Sequence, residues 1–364
     1  MTGKETACAI EAKGLSVVLG GQKVLDVPTL RVHPNEVLML IGPNGSGKTT
    51  LLLCLALLLK PAEGTITHRG VPGENRHQVL QLRRRLAVVF QEPLLLNSTV
   101  WDNVTVGLRL RGVPFAETKN RAQKWLERFG IDSLAKRQAR LLSSGEAKRV
   151  SLTRAFALEP EALFLDEPFN ALDSPTRLAL LEDFESVLRE TKVTTVMVTH
   201  DRNEALALAQ RVAVIMNGSI QQIGSSQEIF SHPLTREIAD FVGMENIIDG
   251  EVTGNDDNMI TINVKGKTIA GVAEVIPGTR VSAGIRPEDI TLSLAPISSS
   301  ARNSFSGEIT RTIMMGPMVH AELDCGFPLV AIITKKSAEE MALAPGEQVY
   351  ATFKATAVHV MKRH

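Results

Sequence analysis

Two rhythms of apolar positions divide this chain. Through residue 243, short continuous apolar runs alternate with stretches of helical spacing. Val37-Leu38-Met39-Leu40-Ile41 ends in glycine, while Ala162–Leu165 and Thr195–Val198 end in polar residues. Runs that are apolar on both faces predict parallel strands buried between helices, and hence an α/β layer fold. From about residue 92 to 157 the spacing turns helical and charged, as in Ala122–Phe129, which predicts a helical insertion. After Met244 the period shortens to strict alternation in Met259–Val264, Arg280–Ile285, Met318–Leu323 and Val349–Val360. In the last, Val349, Ala351, Phe353 and Ala355 share one face, and Tyr350, Thr352, Lys354 and Thr356 the other. Several half-buried strands at short spacing predict an all-β, barrel-like region. Ala295-Pro296-Ile297-Ser298-Ser299 reads as a joint within it.

The remaining features narrow the setting. At 364 residues the chain exceeds one ordinary core, so two or three domains are expected. Lys+Arg and Asp+Glu balance at 40 each, and no basic stretch points to nucleic acid as a ligand. Cys8, Cys54 and Cys325 are isolated, which predicts reduced thiols rather than a metal site or disulfide framework. The opening residues lack the apolar core of a secretion signal. The greasiest run, Leu51–Leu59, is too short to cross a bilayer and reads as a buried helix. Any work at a membrane is then expected to be that of a docked, peripheral partner.

The chemistry sits at the ends of the apolar runs. Gly42-Pro43-Asn44-Gly45-Ser46-Gly47-Lys48-Thr49 fits GxxxxGK[ST] between a strand and a helix. Glycines let backbone N–H groups turn around phosphates, and the following helix offers its positive end. Lys48 would reach the β/γ oxygens and the Thr49 hydroxyl would ligate magnesium. Asp166 and Glu167 close another strand; paired with that loop, Asp166 would hold magnesium and Glu167 would polarise the attacking water. His200 ends a third strand on the same sheet edge, placed to sense or stabilise the γ-phosphate. Ser143 precedes a helical run, and Glu146 three residues later can complete a capping box. A capped helix start is also an anion site.

In this order the pieces resemble the nucleotide-binding subunit of an ABC transporter, over nearly the whole chain. The Walker A motif is Gly42–Thr49, the Q-loop residue Gln91, the signature Leu142–Glu146, Walker B Leu163–Glu167, the D-loop Ala171-Leu172-Asp173 and the switch histidine His200. The resemblance implies a P-loop NTPase domain over 1–243 with its helical subdomain at about 92–157. It implies ATP contacts at Gly42, Asn44, Gly45, Ser46, Gly47, Lys48, Thr49 and Thr50, and Mg2+ at Thr49, Gln91 and Asp166. Catalytic roles fall to Glu167, His200, Lys48 and Gln91. Two copies would stack head to tail, so that Ser143, Ser144, Gly145, Glu146 and Asp173 of one meet nucleotide held by the other. Integral membrane permease subunits would dock near Gln91, placing the chain at the cytoplasmic face of the membrane.

Two positions depart from the pattern. Ser144 and Glu146 replace Gly and Gln of the usual LSGGQ signature, and Leu19 stands where an aromatic usually stacks on adenine. The tail is similar to molybdate/tungstate-binding Mop, or molbindin, domains through Ser300-Ala301-Arg302-Asn303, Ala331–Thr334, Ser337 and Lys354-Ala355. That implies an OB-like oxyanion domain over 296–364, with Ser300, Arg302, Thr334, Ser337 and Lys354 as ligands, preceded by a regulatory β segment over 244–295. The resulting expectation is the ATPase of a molybdate or tungstate importer, supplied by an external oxyanion-binding protein, whose tail senses internal oxyanion. Sulfate, iron, sugar or polyamine import is the alternative.

Overall fold

The computed structural model describes residues 8–73 and 75–363. It divides into two compact units, Met1–Ser226 and Gln227–His364.

In the first unit the three apolar runs are central strands of a six-stranded sheet. Its order is Ser219–Ser225, Arg211–Met216, Val37–Ile41, Thr194–Val198, Ala162–Asp166, Leu86–Val89. All neighbours are parallel except the first pair, which is a hairpin. Val37–Ile41, Ala162–Asp166 and Thr194–Val198 are buried at every position, as runs apolar on both faces require. A second, antiparallel sheet of Gln22–Val32, Ile10–Leu19, Glu63–His68 and Val71–Pro72 packs into the same core through Leu15, Leu25 and Ile66. The helical insertion is present as Val100–Leu110, Phe115–Arg128 and Ser144–Ala157. Trp125, Phe129 and Phe156 pack ring against ring within it, with centroids 5.0–6.2 Å apart.

The Leu51–Leu59 run is not one buried helix. The helix Lys48–Leu55 ends early, Leu57 takes a left-handed φ of 59°, and Leu58 is solvent-exposed.

In the second unit every paired strand is antiparallel. The segments 244–295 and 296–364 interleave here instead of forming separate bodies. His359–Lys362 from the tail joins the sheet of Lys267–Val272, Met259–Val264, Asn246–Asp256 and Arg280–Ile285. Thr291–Ser293 in turn joins Gln348–Phe353, Asn303–Met315, Met318–Asp324 and Pro328–Thr334. One apolar core serves both sheets, from Ile262 and Val281 to Ile309 and Phe353. The unit also begins upstream of residue 244. The Thr235-capped helix Arg236–Phe241 buries Ala239 against Met244 and Met361, and Arg236 pairs with Asp249 at 2.9 Å. The alternating run Val349–Val360 breaks at Lys354, where a 3-10 turn at Ala355–Ala357 intervenes.

Two buried asparagines stand in for strand neighbours. Asn303 accepts from the Ala270 N–H at 2.7 Å and donates to its carbonyl at 2.9 Å. Asn246 does the same to Val330, at 2.6 and 2.9 Å.

Candidate functional site

The site grows from the carboxyl ends of three adjacent strands. Val37–Ile41 runs into Gly42, where a Cβ would lie 2.0 Å from the Ile215 carbonyl oxygen, so the turn there requires glycine. Gly45 and Gly47 then take φ of 77° and 99°, which L side chains rarely adopt. This winds the chain into a loop that delivers Lys48 to the first position of the helix Lys48–Leu55. The Ser46 hydroxyl is buried in the loop with no hydrogen-bond partner among the described residues. Lys48 Nζ folds back onto the Gly42 and Pro43 carbonyls, 2.9 Å from each. Burial pushes its ammonium below the ordinary lysine range, against the opposing charges of Glu167 and Asp166. Asn44 and Gly45 are exposed neighbours on the loop, and Thr50 follows half-buried on the helix.

Thr49 and Asp166 meet: the Thr49 hydroxyl donates to Asp166 Oδ1 at 3.1 Å. Burial raises the Asp166 carboxyl above its usual range, while the Thr49 hydrogen bond and Lys48 oppose the shift. Next along the chain, Glu167 sits at a left-handed φ of 43°, and its N–H donates to the Val198 carbonyl of the neighbouring strand at 3.0 Å. Its carboxylate is held from two sides, by Asn170 Nδ2 at 2.8 Å and His200 Nδ1 at 3.3 Å. Asn170 is a contact that motif reasoning did not single out. Its only sequence signal is its place three residues after Glu167, on the turn that follows the strand.

His200 is carried by a second polar cluster. Asp201 caps the helix Arg202–Leu208 and pairs with Arg177. The buried Glu204 accepts a hydrogen bond from Thr199 at 2.6 Å. The cluster brackets His200 and fixes the backbone on which it stands.

Ser143 and Glu146 form the reciprocal capping box at the start of Ser144–Ala157: Glu146 accepts from the Ser143 N–H at 2.7 Å and donates its own N–H to Ser143 Oγ at 3.3 Å. Those bonds hold the Glu146 carboxyl below its usual range. Gly145 lies against the start of the next helix, where a Cβ would meet Thr176 at 2.8 Å, and Ser144 is exposed beside it. Asp173 caps that next helix, Ser174–Thr191, through the Thr176 N–H at 3.0 Å. Gln91 is exposed and shares no hydrogen bond with Thr49 or Asp166 among the described residues; its carbonyl instead accepts from Lys148.

The five tail residues fall into two groups. Ser300 and Lys354 line one cleft of about 440 Å³ with Glu288, Asp289 and Thr352, and Arg302 is exposed two residues beyond Ser300. Thr334 caps the helix Lys335–Glu340, with its hydroxyl 2.8 Å from that of Ser337. Through the pairings Thr334–Met318–Met315, this second group lies at the far end of the strand Asn303–Met315.

A glycine loop between strand and helix, with carboxylates at the next strand end and a helical insertion, defines a phosphate-loop nucleotide-binding cassette. The ABC transporter family matches residues 25–170, and the TOBE domain matches 299–360. The molybdate/tungstate import ATP-binding protein WtpC of Pyrococcus horikoshii is 38% identical over 331 residues, covering 90% of this chain and 93% of the relative. The spermidine/putrescine import ATP-binding protein PotA of Roseobacter denitrificans is 34% identical over 354 residues, covering 95% and 96%. Among solved structures, cbiO1 of Clostridium perfringens, part of an ABC transporter complex, aligns with a TM-score of 0.58 at 27% identity, over 66% of this chain and 96% of that one. A dimeric ATP-binding cassette bound to ADP and Pi aligns at 0.55 and 26%, over 60% and 98%. The chain belongs to the ATP-binding subunits of ABC transporters.

Proposed function

We propose that this chain hydrolyses ATP at the Gly42–Thr49 loop to energise import of molybdate or tungstate through a membrane transporter. One observation carries the ATPase reading: Thr49–Asp166 and Glu167–His200 converge at one edge of the sheet, beside a glycine loop whose buried Ser46 hydroxyl lacks a partner among the described residues. Backbone N–H groups of the loop and the Ser46 hydroxyl grip the phosphates. Lys48 exchanges its two backbone carbonyls for β/γ oxygens. Thr49, Asp166 and Gln91 offer the hard oxygens that suit Mg2+, which when bound offsets phosphate charge. Glu167, held by Asn170 and His200, accepts a proton from the attacking water as its oxygen bonds to the γ-phosphorus. The bond to the β–γ bridging oxygen breaks, and ADP leaves with that electron pair. His200, beside Glu167, steadies the γ-phosphate.

Ser143–Glu146 and Asp173 of a second copy would complete the nucleotide site, and permease subunits would dock this peripheral chain at the cytoplasmic face. No helix among the described residues is long and apolar enough to cross a membrane. The substrate assignment rests on the relatives named for molybdate and tungstate and on the tail, where Ser300, Arg302, Thr334, Ser337 and Lys354 supply hydroxyls and cations suited to a tetrahedral dianion. The spermidine/putrescine relatives keep polyamine import as the second reading.

Glu167→Gln in the reconstituted transporter is the direct test. ATP binding should persist while turnover falls about 10²-fold or more; undiminished hydrolysis would remove the catalytic assignment. ATP-driven uptake of molybdate or tungstate, with none of spermidine, supports the substrate; the reverse replaces it with a polyamine.

A further inference from the structure

The helix Ser144–Ala157 turns a row of donors toward the chain around Gln91. Lys148 Nζ donates to the Gln91 carbonyl. About one turn further on, Ser151 Oγ makes a long contact of 3.5 Å to the Pro93 carbonyl. One turn beyond that, Arg154 donates to the Pro93 and Leu94 carbonyls at 2.9 and 3.0 Å. Three side chains, one per turn, therefore meet the carbonyls of a four-residue segment. The segment needs such support, because Leu94 holds a left-handed φ of 44°.

Lys148 is only 5% exposed. Taking an ammonium out of water is costly unless it finds acceptors, and here the backbone provides one. Burial pushes Lys148 below the ordinary lysine range, and the charges of Glu167 and Glu92 oppose that shift. The cation is thus anchored between the Gln91 backbone and the field of the hydrolytic carboxylate.

We propose that Lys148, supported by Arg154, is the positioning residue for Gln91, clamping the segment Gln91–Leu94 to the helix that begins at Ser144. The segment then moves as part of the helical insertion, so a displacement of Ser143–Glu146 carries Gln91 with it. Charge-assisted bonds to carbonyls suit this task, since they hold the backbone and leave the Gln91 side chain free for its ligand. The role rests on the ATPase reading above.

The test is a double-mutant cycle in the full transporter. Lys148→Met keeps the length and removes the donor; kcat should fall about tenfold while KM for ATP shifts much less. On a Gln91→Ala background the same change should cost little more, because Lys148 acts through Gln91. Lys148→Gln, which restores a donor, should recover part of the loss. Equal losses on both backgrounds would overturn the proposal, as would full activity of Lys148→Met. A second readout needs no hydrolysis: in the full chain, the amides of Gln91, Glu92, Leu94, Leu95 and Leu96 should exchange about tenfold faster in Lys148→Met than in wild type. Unchanged exchange there would end the clamp, whereas an inactive wild type with fast exchange in the variant would end only the ATPase reading.

Discussion

Glu204 is a residue whose charge the fold disfavours. It is 5% exposed, and burial raises its carboxyl above the ordinary range; Thr199, Arg177 and His200 pull the other way, and Asp201 adds to the rise. A raised folded pKa means that stability is fully present below the unfolded value, about 4.5, and is lost as pH climbs through the folded value. Glu204→Gln keeps an acceptor for Thr199 and removes the ionisation. The variant should match wild type in thermal midpoint near pH 4 and exceed it near pH 8; a parallel offset at both would show that titration is not the cause. Asp166, Glu167 and His200 were legible in the sequence because they close apolar runs, and strand ends converge in a parallel sheet; Lys48 was legible from the glycine loop that follows such a run. Asn170 and Lys148 were not. One braces another side chain and the other meets a backbone carbonyl, and neither kind of partnership leaves a spacing pattern.

Among the elements, the start of Ser144–Ala157 shows how one local feature serves two ends. Glu146 completes the capping box, as the usual Gln also can, and this ties up the N–H groups of Ser143 and Glu146 while leaving the helix dipole directed at any anion before it. The α/β strands were readable since their apolar runs are contiguous. The interleaving of the second unit was not, because Arg280–Ile285 pairs with His359–Lys362, and hydrophobic alternation says which face is buried but not which strand is adjacent. Asn303 reveals that arrangement once seen, since it satisfies both backbone groups of Ala270 across the two sheets. Asn303→Ala would leave a part-buried N–H and C=O unpaired and cost about 2 kcal/mol. Faster exchange of the Ala270 amide, with a lowered denaturation midpoint for the second unit, is the expected result. An unaffected Ala270 amide would mean water replaces the side chain without loss.

For the whole molecule, the split of the tail residues into two groups bears on the proposed oxyanion site. The cleft with Ser300 and Lys354 also carries Glu288 and Asp289, and Arg286 is engaged by Glu288 at 3.2 Å. One cation beside two carboxylates is a poor home for a dianion, so further donors are needed. Thr334 and Ser337 lie at the other end of Asn303–Met315, so under the proposed oxyanion reading only a second copy running in the opposite sense could supply them to this cleft. Two copies would then form two equivalent sites, each with Lys354 from one chain and Ser337 from the other. In pure dimers, Lys354→Ala and Ser337→Ala should each weaken tungstate binding by about tenfold or more in calorimetry. A mixed dimer of the two variants distinguishes the geometries. Sites shared between chains leave one of the two intact, with near-native affinity and half the wild-type stoichiometry. Sites confined to one chain leave none intact, and that result would return all five ligands to a single tail.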